Sequence, residues 1–325
     1  MATTIHHERD ADLEALAGAD VCVVGYGNQG RSWALNLRDS GVAVRVATRA
    51  DDSRARAEDD GFASSDTDAA SSADVLCVLV PDDVVPTLGL DPRDDALVVL
   101  ASGYSVAFGR FDPHCDVGLV APRMLGPEVR RCYEEGTGFM SAVGVHRDLT
   151  GTAMERTLAV ALTIGGLRQG GIELTPTQEA VLDLSVEQLL APALRHVNQS
   201  FVAVMLEQGI PIEAVLAELF LSGEVERTFR LLRLEGYAAQ MEHHSPTSQY
   251  GQLSRSDRYD HHDLAATMRE LLGDITSGRF ADEWDAERDG GYPNLRRHRA
   301  ELLSPELQAW EAELRATLGE RATSR

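Results

Sequence analysis

Val21-Cys22-Val23-Val24-Gly25-Tyr26-Gly27-Asn28-Gln29-Gly30 decides the fold of this 325-residue chain. The four leading residues form an unbroken apolar run, approached through Ala15-Leu16-Ala17-Gly18-Ala19-Asp20. A run with no polar face suits a strand covered on both sides, as in a parallel sheet. The glycines that follow are spaced G-x-G-x-x-G and lead into a helical pattern over 32–40, which Gly41 stops. The next apolar strand is expected at Val42–Ala47. Strand, glycine turn, helix and strand in that order make a βαβ unit with dinucleotide-fold spacing. Gly25 permits the tight turn, Gly27 lets backbone approach a phosphate, and Gly30 lets the helix pack close to the strand. The turn Gly25-Tyr26-Gly27-Asn28-Gln29-Gly30 is therefore expected to hold a nicotinamide dinucleotide by its pyrophosphate, on N–H groups at the helix start.

Outward from this turn the alternation continues. Helices are expected at 53–60 and 152–164, and strands at 75–80, 96–100, 117–121, 140–145 and 171–174. Repeated βα units imply a mostly parallel, doubly wound sheet. The pattern changes at Thr175-Pro176, where Thr175 can cap a helix that Pro176 begins. Beyond it the periodicity is helical: 177–208, 211–235, 262–277, 280–287 and 304–317. The polar stretch 243–258 reads as a loop, and Trp284 and Trp310 read as core. The expected architecture is an α/β Rossmann-like N-terminal domain over 1–175, followed by an all-α C-terminal domain over 176–325.

Composition narrows the function. A formal charge of -22 disfavours nucleic acid and anionic lipid, both of which need basic patches. No apolar run reaches the roughly 18–20 residues of a membrane helix. The acidic, His-bearing start does not resemble a signal peptide. Cys22, Cys77, Cys115 and Cys132 are scattered without a C-x-x-C pair, which fits reduced core thiols and a cytoplasmic protein. The chain has no lysine, so Schiff-base and lysine general-acid chemistry are excluded.

The segment closing the second strand, Thr48-Arg49-Ala50-Asp51-Asp52-Ser53-Arg54, bears on the choice of cofactor. Arg49, Ser53 and Arg54 suit the 2′-phosphate of NADPH, while Asp51 and Asp52 suit the free ribose of NADH. The charge balance favours NADPH and leaves NADH open. In the helical part Asp183 and Glu187 are four residues apart, on one helix face among leucines. Carboxylates in apolar surroundings need a partner, and a hard cation such as Mg2+ would serve; the same spacing also fits a surface acid pair. Glu218, on a second apolar helix, could be a third ligand.

Taken together, the motifs resemble ketol-acid reductoisomerase of the shorter class, nearly end to end. The resemblance lies in the glycine turn with Ala34-Leu35-Asn36-Leu37-Arg38-Asp39-Ser40-Gly41, in Leu79-Val80-Pro81-Asp82-Asp83, and in Ala121-Pro122-Arg123 through Tyr133. It continues in Asp183-Leu184-Ser185-Val186-Glu187-Gln188, Ser245-Pro246-Thr247-Ser248-Gln249-Tyr250-Gly251 and Asp274 through Ala281. It implies a knotted helical domain, a homodimer or higher homo-oligomer with shared sites, and reduction by NADPH after an alkyl shift assisted by two Mg2+. By position it implies that Asp183 bridges the ions, Glu187 completes the first, Glu218 comes from the partner, Ser245 touches substrate, and Pro81-Asp82 lie before the nicotinamide.

Three positions depart from the family pattern. Ser222 stands where a second partner glutamate is implied, Arg123 replaces the active-site lysine, and Ser102 replaces a histidine. An arginine keeps its charge and does not readily give up a proton. The changes fall where substrate and second metal would sit, while the cofactor side is intact. The expectation is a reductase of a small 2-keto or imino acid, with the isomerase step altered or lost and Arg123, Ser102 and Ser222 in the altered site. The alternatives are a true ketol-acid reductoisomerase and a non-catalytic NADPH-binding protein.

Overall fold

The computed structural model describes residues 3–302 together with positions 309, 312, 313 and 315–317. The chain divides into two compact units, Met1–Leu184 and Ser185–Arg325.

The first unit is built on nine strands: β1 (Ile5–His6), β2 (Val21–Val24), β3 (Val44–Ala47), β4 (Ser64–Ser65), β5 (Val75–Val78), β6 (Leu97–Leu100), β7 (Asp116–Pro122), β8 (Ser141–Arg147) and β9 (Gly171–Glu173). Their order across the sheet is β1-β9-β8-β7-β6-β5-β2-β3-β4. Only β1/β9 and β7/β8 run antiparallel. The continuous apolar runs are explained by how they sort. Val21 and Val23 point into one core, with Trp33, Val129 and Leu158 from the covering helices. Cys22 and Val24 point into a second core, with Ala70, Val106 and Val117. Every residue of β2 and β6 is buried because both faces are covered.

Six helices belong to this unit: α1 (Asn28–Asp39), α2 (Asp52–Asp59), α3 (Tyr104–Ala107), α4 (Gly126–Glu134), α5 (Ala153–Thr163) and α6 (Pro176–Ser185). Helix α1 begins at Asn28, four residues before the sequence pattern becomes periodic, so Gly30 lies in its first turn. Helix α6 starts with a reciprocal capping box. Thr175 Oγ1 accepts the Gln178 N–H at 3.2 Å, and Gln178 Oε1 accepts the Thr175 N–H at 3.0 Å.

The second unit is helical: α7 (Ala191–Glu207), α8 (Ile212–Leu216), α9 (Glu224–Glu235), α10 (Tyr237–Met241), α11 (Pro246–Leu253), α12 (Leu264–Thr276), α13 (Arg279–Asp289) and α14 (Pro293–Leu302). Wider π-turns at Val186–Leu190 and Ala217–Leu221 precede α7 and close α8. The helix expected over 211–235 is broken at Gly223, whose φ of 77° is left-handed. The expected loop at 243–258 is instead largely helix α11: Ser245 accepts the Ser248 N–H and Pro246 opens the first turn. Those two residues signal a helix start, and the surrounding polarity masked them. Trp284 packs on Tyr292 with ring centres 5.6 Å apart. Trp310 lies outside the described residues, as does the helix expected at 304–317 apart from positions 309, 312, 313 and 315–317. Among the described residues no helix is long and apolar enough to cross a membrane.

Candidate active site

A cleft of about 370 Å³ opens at the carboxyl ends of β2, β5 and β6. Gly27, Asn28 and Gln29 line one side, Pro81 and Asp82 the second, and Ala101, Ser102 and Ser105 the third. Doubly wound sheets bind their ligands at this edge. The glycines have separate jobs. A Cβ on Gly30 would lie 2.1 Å from the Gly25 carbonyl oxygen, so the helix can approach the strand only without it. Gly25 has φ of 93° and abuts Leu79 and Val80. A Cβ on Gly27 would meet nothing within 4 Å, so the space beside it is open to a ligand. An open face at a helix N-terminus fits a pyrophosphate, and this unit therefore fits the dinucleotide.

Tyr26 does not point into the cleft. Its ring is buried against Phe62, and its hydroxyl donates to Asp60 at 2.8 Å. Of the turn's residues it therefore contributes backbone only. Beyond β3, Asp51 caps α2 by accepting the Ser53 N–H at 2.9 Å. Arg49 is 83% exposed and reaches Asp51 at 3.2 Å. Arg54 is already engaged, with the Thr48 carbonyl at 2.6 Å and with Asp66.

The end of β7 and helix α6 carry acids and one arginine. Arg123, just past β7, donates from Nη2 to Glu179 Oε1 and from Nη1 to Asp183 Oδ1 at 3.2 Å. Its Nε donates to the Ala121 carbonyl at 3.3 Å. Glu179 on α6 is 1% exposed, and its second oxygen accepts the Gly103 N–H at 2.7 Å. Gly103 is itself pressed on α6: a Cβ there would stand 2.1 Å from the Pro176 carbonyl oxygen. Ser102 accepts the Tyr104 N–H at 3.2 Å and hydrogen-bonds Asp82. Burial, reinforced by the charges of Glu179, Asp183 and Asp83, pushes the Asp82 carboxyl up to about 7, against the lowering effect of Ser102. Burial also raises Glu179, offset by Arg123 and Gly103. Glu179 is absent from the sequence expectation, although it lies one helical turn before Asp183 and so on the same face.

The first unit matches the family model "Acetohydroxy acid isomeroreductase, NADPH-binding domain" over residues 15–170. Residues 177–320 match "Ketol-acid reductoisomerase, C-terminal domain". The ketol-acid reductoisomerase (NADP(+)) of Caldivirga maquilingensis is 37% identical over 320 residues, 94% of this chain and 97% of that protein. That of Saccharopolyspora erythraea is 35% identical over 309 residues, 91% of each. The chain belongs to the ketol-acid reductoisomerase family. A solved NADH-preferring ketol-acid reductoisomerase from an uncultured archean superposes with a TM-score of 0.89, at 30% identity, over 96% of this chain and 98% of that one. As a member of this family the chain is an NAD(P)H-dependent oxidoreductase.

The family's metal can be tested against the residues of the first unit. Mg2+ bonds carboxylate oxygens at roughly 2.1 Å, but Asp183 Oδ1 already accepts from Arg123. An ion on that carboxylate would have to share it with the guanidinium, which already takes up its charge. With one oxygen given to Arg123, Asp183 as it is held here does not fit the implied role of bridging two divalent ions. The other expected ligands, Glu187 and Glu218, are exposed on the helical unit. Glu187 lines a cavity there with Arg195, His196 and Gln199. Ser222 is exposed, its hydroxyl accepting the Glu224 N–H at 3.3 Å. Ser245 is occupied as the cap of α11. The expectation that Asp183 and Glu187 are buried among leucines is not met in the single chain. Asp183 keeps 49% of its side chain exposed, and the neighbouring Leu182 and Leu190 are exposed as well.

Proposed function

We propose that this chain uses NAD(P)H to reduce a small 2-keto or imino acid, with the alkyl-migration step of the family altered or lost. The observation that carries this reading is the pairing of Arg123 with both Glu179 and Asp183. It places a guanidinium where the migration chemistry would need a free metal-binding carboxylate. The cofactor half keeps its glycine turn and an open cleft.

When bound, NAD(P)H supplies the hydride that adds to the carbon of a C=O or C=N bond. Gly27, Asn28 and Gln29 would hold the pyrophosphate, and Pro81, Asp82 and Ser102 would flank the nicotinamide. Asp82 can hold a proton near neutral pH and Ser102 can pass one, which suits protonation of the oxygen or nitrogen of the reduced bond. NADPH is the favoured cofactor, because Arg49 is exposed and, among the described residues, pairs with the surface acid Asp51. The Mg2+ expected on Asp183, Glu187 and Glu218 takes no part in this scheme.

A homodimer is proposed on separate grounds. Leu190, Leu194, Val197, Phe201 and Val204 recur every three or four residues along α7 and its approach, and all are at least 40% exposed. An apolar stripe of this kind marks an interface. Light scattering that found a monomer at micromolar concentration would overturn it.

The function is tested by following nicotinamide absorbance with a panel of 2-keto and imino acids and with acetolactate, using NADPH and NADH, with and without Mg2+. Reduction of a panel acid without acetolactate turnover is the expected result. Acetolactate turnover at a rate ordinary for the family would instead make the chain a working reductoisomerase.

A further inference from the structure

The guanidinium of Arg123 is fixed by three acceptors on two elements: Glu179, Asp183 and the Ala121 carbonyl. Glu179 cannot yield easily, because it is buried and its other oxygen is spent on the Gly103 amide. Gly103 in turn is seated against Pro176 with no room for a side chain. The cation is therefore braced from the sheet side and from α6. A guanidinium carries five N–H donors, so three of them being used here leaves two for an incoming oxygen.

We infer that Arg123 permanently fills the cation position at Asp183, so that reduction by this chain requires no divalent ion. This rests on the proposed reductase reading for its activity arm alone. The chemistry balances without a metal. The C=O or C=N carbon gains a hydride from NAD(P)H, the oxygen or nitrogen gains a proton, and NAD(P)+ and the hydroxy or amino acid leave. Arg123 stabilises the charge developing on the acceptor with its two remaining donors, a role an electrophilic metal could otherwise fill.

The experiment is a Mn2+ titration of the full-length protein followed by electron paramagnetic resonance, with wild type, Arg123→Ala, Arg123→Lys and the double variant Arg123→Ala/Asp183→Asn. The expected result is millimolar or weaker binding to wild type and at least tenfold tighter binding to Arg123→Ala. Arg123→Lys should fall between them, and the double variant should return to the wild-type value. Thermal melts identify any variant that fails to fold, and Arg123→Lys then carries the comparison. Wild-type turnover is expected to change less than twofold in EDTA.

Micromolar Mn2+ binding to wild type that Asp183→Asn abolishes would overturn the inference. So would activity lost in EDTA and restored by Mg2+. The reductase reading fails separately. If no panel acid is reduced but Arg123→Ala gains Mn2+ affinity, the substrate assignment is wrong and the cation position stands.

Discussion

Glu179 accepts the Gly103 amide at 2.7 Å with one oxygen and holds Arg123 with the other, so one buried carboxylate ties the loop bearing Ser102 to the cation beyond β7. Replacing it separates two kinds of cost. Glu179→Ala strands a partly buried guanidinium and a buried N–H, and is expected to cost about 3–5 kcal/mol. Glu179→Gln keeps an acceptor for Gly103 but turns an amide NH2 towards Arg123, losing the charge and that hydrogen bond, for about 1–3 kcal/mol. Urea denaturation measures both. A Glu179→Ala protein within 1 kcal/mol of wild type, roughly the worth of one ordinary hydrogen bond, would show that the carboxylate is not a brace.

Gly27 and Gly30 belong to one motif but should fail differently when given a methyl group. Gly30→Ala drives a carbon into the Gly25 carbonyl, 2.1 Å away, and is expected to destabilise the fold by at least about 2 kcal/mol. Gly27 has ordinary extended backbone (φ -81°, ψ -158°) and open space where its Cβ would be. Gly27→Ala should therefore melt within a few degrees of wild type while binding NADPH at least tenfold more weakly. Paired melting curves and fluorescence titrations decide it, and unimpaired NADPH binding by Gly27→Ala would move the pyrophosphate elsewhere.

Arg49 and Arg54 are five residues apart but face different duties. Arg49→Ala is expected to raise the KM for NADPH five- to tenfold and leave that for NADH within twofold, a loss of about 1–1.4 kcal/mol. Arg54 links the Thr48 carbonyl to Asp66, so Arg54→Ala should lower the melting temperature first. Equal KM changes for both cofactors in Arg49→Ala would remove it from the 2′-phosphate.

Asp82 gives the stability a pH dependence of defined sign. Its carboxyl is raised to about 7 in the folded chain, from near 4 when unfolded. Between those values the folded state holds a proton that the unfolded state has released. The contribution is thus harmless at low pH and increasingly destabilising as the pH rises towards 7. Asp82→Asn should show little gain at pH 4 and a clear gain in urea midpoint at pH 8. A gain that shrinks with rising pH would contradict the burial of that carboxyl.

The parallel sheet was legible because Val21–Val24, Val75–Val78 and Leu97–Leu100 are apolar at every position, and only a strand with two covered faces needs that. The cleft was half legible. Gly27, Asn28, Gln29, Pro81 and Asp82 line one cleft, and Ser102, expected with Arg123 and Ser222 on the substrate side, lines it with them. Glu179 escapes the pairing of Asp183 with Glu187 because it lies one helical turn before Asp183, within the same helix face. The engagement of Arg54 by Asp66 joins residues on different elements, and no spacing rule reports it. The stretch around Ser245 reads as a loop because it is polar, yet a serine followed by proline also begins a helix, and Ser245, a substrate contact by resemblance, caps α11.

All four cysteines are buried, and burial pushes Cys22 and Cys115 up to about 11 and raises Cys77 as well. Together with the absence of lysine this leaves the folded chain with neither an accessible thiolate nor an ε-amine. Aldehydes, quinones and Michael acceptors attack those two nucleophiles first. The enzyme should thus keep working amid electrophiles directed at thiols and ε-amines, at doses that inactivate lysine- and thiol-bearing reductases.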